Sequence, residues 1–169
     1  MIAKCRRAIL GFLIAFVGMP ANAAGTEADL LFSDNSILDV RLVAPLRQIM
    51  REKPTDDDDD NDNDPEGTFT LIVDEDTELD FPVKIVTRGN NRRDVCKFTP
   101  LRIDFDKDAL EGTVFDGQNK LKMVTHCDRA TRYQQYYMIE MLTYRMYNLI
   151  TDYSFRVREL SVTYTDSEN

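Results

Sequence analysis

The chain has 169 residues, 43% apolar and 30% charged, with 21 Lys+Arg against 30 Asp+Glu for a net charge of −9, one His, three Cys and no Trp. That is one ordinary domain of chain, too short for a complete two-lobed enzyme, and its balance excludes wholesale disorder and a polytopic membrane protein. The acidic excess argues against a nucleic-acid partner, whose phosphates such a surface would repel.

The opening residues have the layout of a secretory signal. Lys4, Arg6 and Arg7 form a basic start, Ala8 to Met19 an apolar run, and Pro20 a break before the small triplet Ala21-Asn22-Ala23. The run is well below the roughly 20 residues a bilayer span needs, so cleavage is expected after Ala23 or Ala24, with no stable membrane anchor left behind. Residues 1–23 carry three bases and no acid, so removing them takes the charge from −9 to −12. The chain is then exported, periplasmic or extracellular, and Cys96 and Cys127 remain in an oxidising compartment. One disulfide is the natural expectation, worth roughly 3–4 kcal/mol on the loop-entropy account; two buried free thiols are the alternative.

In chain order, residues 24–36 are small and polar and read as a flexible lead-in. Leu38, Val40 and Leu42 then alternate with Asp39 and Arg41 as a first strand. Leu46 to Arg51 has room for one or two amphipathic turns before Lys53-Pro54. An acidic loop, 54–67, follows, with seven Asp and two Asn between Asp56 and Asp64. Phe69 to Val73 and Leu79 to Ile85 read as a hairpin, and Pro82, which cannot donate to a ladder, predicts an edge strand or a bulge. Two more strands follow, Leu101 to Phe105 and Leu121 to Thr125. The longest helix runs from about Asp128 to Ile150 without Gly or Pro, apolar on nearly every face, which predicts burial between layers. Phe155 and Val157 alternate out of phase with Leu160, Val162 and Tyr164, as a bulge at Glu159 would allow. The chain ends five residues past Tyr164, leaving 37–165 as a single domain and 166–169 as a tail.

Candidate chemistry is sparse. The Asp run offers oxygen ligands at alternate positions, but an EF-hand loop counted from Asp60 puts Pro65 where Gly belongs and Leu71 where Glu belongs. A solvated loop with weak cation buffering is the better account. His126 is the only His, which excludes multi-histidine metal sites; no metal site and no catalytic set is read. Five of the seven Tyr, at 133, 136, 137, 144 and 147, fall at helical spacing, the pattern of core rings with wet hydroxyls. Glu140 and Arg145 are ions in an apolar helix and each requires a partner: Lys120 or Lys122 for Glu140, and an Asp such as Asp152 for Arg145.

Arg88-Gly89-Asn90, the run Lys97 to Phe105 (KFTPLRIDF), Leu121 to Cys127, the long helix and Phe155-Arg156-Val157-Arg158 together resemble the N-terminal part of CotH-like proteins, atypical kinases, and more closely a group of uncharacterised exported bacterial proteins related to them. The resemblance covers about 83–165. It implies an α+β fold, a twisted, mainly antiparallel sheet packed against one long helix, similar to a kinase-like small lobe. In kinases a strand Lys holding nucleotide phosphates pairs with a helix Glu, and by position Lys122 and Glu140 would take those roles, with Lys120 as alternative. A Gly-rich phosphate loop and the catalytic and metal-binding acids of a large lobe are missing from this chain. The expectation is therefore a binding or interaction module whose partner is another protein or a missing large lobe. Its alternatives are part of an ATP- and magnesium-dependent phosphotransferase and an acidic cation-binding envelope protein.

Overall fold

A computed structural model describes residues 27–52 and 63–168. The signal-peptide reading and most of the acidic run lie outside those residues. Six strands form one curled sheet: β1 Leu38–Ala44, β2 Glu66–Ile72, β3 Glu78–Thr87, β4 Leu101–Phe105, β5 Lys120–Met123 and β6 Leu160–Asp166. Three α-helices lie between them, α1 Leu46–Arg51, α2 Asn90–Val95 and α3 Gln134–Asn148. Strand order is β5-β4-β3-β2-β1-β6. The first five strands form an antiparallel meander, and β6 returns parallel to β1 with Leu160 opposite Leu38 and Tyr164 opposite Leu42. The fold is α+β, as expected.

Register places every apolar alternation on one face. Val40 and Leu42 face Leu71 and Phe69 across β1 and β2, Phe81 pairs Phe69, Ile85 pairs Ile103, and Leu101 pairs Met123. Because side chains alternate with period two, this single register buries all of them together. Phe69, Phe81 and Phe105 meet edge to face, and Phe115, from the turn before β5, completes a four-ring cluster with centroid spacings of 5.3–6.2 Å. Such pairs add about 0.5–1.5 kcal/mol each beyond area burial. Gly67 fits where nothing larger does, since a Cβ there would lie 2.6 Å from the Val43 carbonyl oxygen and 2.8 Å from Ile85 Cδ1.

The curl brings the sheet's two edges toward each other over α1, whose Leu46 and Ile49 are buried. Tyr164 of β6 packs edge to face on Phe98, which precedes β4 and stacks on His126 beyond β5. Burial pushes the Tyr164 phenol up to about 12. The Cys96–Cys127 disulfide is formed, with Cα atoms 4.5 Å apart. It staples a short ribbon in which Phe98 N–H donates to the Cys127 carbonyl at 3.0 Å, Thr125 Oγ1 donates to the Phe98 carbonyl, and Lys97 pairs with Asp128. The Lys97 ammonium holds the Asp128 carboxyl below its usual range.

Several expectations need correction. Segment 27–36 is fastened to the domain: Leu31 is buried, and Arg158 donates to the carbonyls of Leu31, Asp34 and Ser36. The Ser36 hydroxyl and amide hold the Asp34 carboxyl down to about 2. Pro82 sits in an interior strand; the β3–β4 ladder begins at Val83 opposite Phe105, one residue past the proline, so no bond to β4 is asked of it. The acidic loop gives way to β2 at Glu66, and Asp64, far from being solvated, is buried beside Arg102. No bulge forms at Glu159: the last strand starts at Leu160, and Arg158 serves as the clamp just described. That strand runs on through Asp166 into the expected tail, where Ser167 N–H donates to the Ala44 carbonyl. The largest correction concerns α3, on which no residue is buried.

Candidate functional site

The position of α3 follows from what the sheet already does. The inward face is closed by the curl itself, by α1 and by Leu31, Leu110 and Phe115, so no apolar surface there awaits a helix. The outer face carries Arg41 bridged to Glu78, Thr70 donating to Asp80, and Arg102 pinned between Asp104 and Asp64. An apolar helix gains nothing by covering those ions. The long helix accordingly stands off the sheet, continuing a 3-10 turn at Thr131–Tyr133.

Few contacts hold it. Arg92 on α2 donates to Glu140 at 2.5 Å, and the C-terminal end folds back so that Asn148 Nδ2 donates to the Phe155 carbonyl and the Tyr144 and Phe155 rings meet edge to face at 6.0 Å. The last turn tightens as the amides of Leu149, Ile150 and Thr151 donate to Met146 and Tyr147 carbonyls. On the far side Tyr136, Ile139, Leu142 and Met146 recur at spacings of three and four and form one exposed stripe, which Leu149, Ile150, Tyr153 and Phe155 prolong. Leu149 is 89% exposed and Tyr153 98%. The Thr143 hydroxyl donates back to the Ile139 carbonyl, which keeps a polar hydrogen from interrupting the stripe. Between α3 and the return segment runs an open groove of about 790 Å³ walled by Tyr144, Tyr147, Tyr153 and Phe155, with Glu140 and Asp152 at its rim.

Charge singles out the same region. Residues 129–158 contain five Arg against Glu140 and Asp152, in a chain whose net charge is −9. Of the five, Arg158 and the Arg145 guanidinium edge are buried, which leaves Arg129, Arg132 and Arg156 exposed on the aromatic-rich arm.

The residues singled out from the sequence are dispersed over this framework. Glu140 takes Arg92 as its cation. Lys122 and Lys120 lie on the outer face of β5, opposite Arg102 and Asp104 respectively. Arg145 faces a second cavity, of about 220 Å³, which Asp152 also lines; the guanidinium Nε and Nη2 are buried and donate no hydrogen bond among the described residues. The five helical Tyr do not form a core; Tyr136 and Tyr147 are exposed. Arg92 was not visible as a partner because its loop sequence, Gly89-Asn90-Asn91, hides a helical turn begun by Gly89 at φ +85°. The helix expected from about Asp128 to Ile150 spans Gln134–Asn148, and Phe155 and Val157, expected to alternate as strand residues, lie outside any strand.

Among the described residues no group of three or more His, Cys, Asp or Glu is placed to hold a metal ion, and no helix is long and apolar enough to cross a membrane. No protein-family model, no curated protein and no solved structure matches this chain.

Proposed function

We propose that the chain is an exported binding module that docks a second protein through α3 and the return segment 149–155. The single observation carrying the reading is the stripe Tyr136, Ile139, Leu142, Met146, exposed on a helix that buries none of its residues. A helix with this spacing is held in water at a cost that docking into a partner's groove recovers. The exposed cations of the arm, Arg129, Arg132 and Arg156, favour an apolar groove rimmed by carboxylates. A large lobe supplied by another polypeptide, of the kind the CotH-like resemblance suggests, is one protein of that description. Export rests on the signal-like opening residues and is supported by the disulfide.

Site-specific photocrosslinking in cells producing the full chain tests the reading. A photoreactive residue at position 139, 142 or 146 is expected to give one common protein adduct, absent when the probe sits at Thr163 on the outer face of β6. No adduct from the three helix positions, or the same adducts from position 163, sinks it. A magnesium-dependent ATP complex lost in Lys122→Ala would return the phosphotransfer reading instead.

A further inference from the structure

A different observation, independent of the apolar stripe, lies on the other side of Asp152. The cavity of about 220 Å³ beneath the last turn of α3 is walled by Asn35 from the N-terminal segment, Arg145 and Asn148 from the helix, Thr151 and Asp152 from the return segment, and Arg156 just past it. Nε and Nη2 of Arg145 form one edge of the guanidinium and are the two atoms left buried without a partner. Guanidinium cannot lose its proton to escape this situation, and a buried charged donor without an acceptor is costly. The negative end of the α3 dipole keeps the cation in place but supplies no oxygen to those two N–H groups. That edge has the spacing of two parallel N–H bonds to the two oxygens of one carboxylate or phosphate.

We propose that this cavity is a socket for a small oxyanion gripped bidentately by Arg145 Nε and Nη2. Size agrees: the space is below the roughly 300 Å³ at which drug-sized ligand pockets begin, and suits a small ion with a few waters. Its walls supply further donors. Thr151 Oγ1 accepts from the Tyr153 amide at 3.1 Å, which leaves its O–H to donate, and Asn148 Nδ2 spends one N–H on the Phe155 carbonyl and keeps the other. Asp152 is the gate, because its carboxylate competes with an entering anion for the same cation. Occupancy would fasten α3, the return segment and the N-terminal segment around one ion.

The test uses the full chain without its signal, at constant ionic strength, with inorganic phosphate and acetate as probes against chloride. Each socket anion is expected to raise Tm saturably, as ligand linkage requires, and to shift the Arg145 Nε resonance in a 15N-arginine spectrum. Acetate against phosphate ranks the planar and tetrahedral ligands. Arg145→Gln is expected to abolish the saturable response, Arg145→Lys to weaken it at least tenfold, and Asp152→Asn to tighten it. A rise in Tm that never saturates, or one that Arg145→Gln retains, overturns the proposal, as does an Arg145 resonance that phosphate and acetate leave unmoved in the unsubstituted protein. That last readout stands even if the Arg145 variants fail to fold. If Asp152→Asn lowers Tm and leaves the anion affinity of the folded protein unchanged, Asp152 is the internal partner of Arg145 and the socket reading fails.

Discussion

Leu42 and Leu142 are the same residue in two different physical situations. Leu42, on β1, is 0% exposed, with Phe69 across the ladder on one side and Tyr164 on the other. Leu142, on α3, is 51% exposed. In the sheet, apolar residues are consumed by the fold, each one closing a neighbour's surface. On the arm they are left over: the Arg92–Glu140 pair ties α3 to α2, and the Asn148–Phe155 hydrogen bond joins the helix to its own return segment. The contrast separates residues that hold the domain together from residues held available by it, and it is open to direct measurement.

The strongest way to break the contrast is to truncate both leucines. Leu42→Ala is expected to cost about 3–5 kcal/mol, transfer loss plus a cavity that the surrounding strands cannot close, measured as a fall in the urea midpoint at unchanged slope. Removing the disulfide with the paired substitutions Cys96→Ser and Cys127→Ser comes next, at about 3–4 kcal/mol for a sequence separation of 31 residues. If the Cys96 variants melt with the parent chain, the ribbon 96–99 is secured by its hydrogen bonds alone. Gly67→Ala should cost about 1–3 kcal/mol through overpacking, because the obstruction at Val43 is backbone and cannot swing aside; an unchanged midpoint would mean that β1 and β2 separate more easily than their register suggests.

How much of this was legible follows the same division. Period-two alternation placed Leu38 to Leu42, Phe69 to Ile85 and Leu101 to Phe105 in strands, because a half-buried strand leaves a direct mark on the sequence. The disulfide was legible from the even pair, Cys96 and Cys127, left after the signal-like opening residues are set aside. Phe115 and Leu110 were not, because they sit in turns, where no period marks a core residue. For α3 the period was right and the inference from it was not: a helix apolar on most faces is either buried or waiting for a partner, and its own residues do not distinguish the two. What decides is whether the sheet has a face to spare, a property of the register of β1 to β6 as a whole. Glu140 was correctly expected to hold a cation, but Arg92 lies 48 residues away, a distance no local pattern reports.

A pH titration sharpens the comparison at the sheet's closing edge. The Tyr164 phenol is raised to about 12 by burial, against about 10 in an unfolded chain. Between those values the unfolded state loses its proton first, so the folded state binds more protons and stability falls as pH rises. The contribution is present in full below pH 10 and is lost by about pH 12, amounting to on the order of 2 kcal/mol. Tyr164→Phe should remove that part of the alkaline decline and leave the rest. A decline of equal steepness in Tyr164→Phe would place the alkaline sensitivity in other groups.

The smallest expected effect is the most informative. Leu142→Ala and Met146→Ala, singly, should each change stability by less than about 0.5 kcal/mol, the range of ordinary surface positions. Ala is the best helix former and in part offsets the lost side-chain contacts. Set against Leu42→Ala, this predicts a roughly tenfold difference in cost for the same chemical change. The helix content by circular dichroism should be unchanged, and the affinity of the chain for 1-anilinonaphthalene-8-sulfonate should fall, since the dye reports exposed apolar surface. A loss of several kcal/mol at Leu142 would mean that α3 is covered in solution by the protein's own chain. The stripe would then be part of the core after all, and the docking surface would have to be sought on another face.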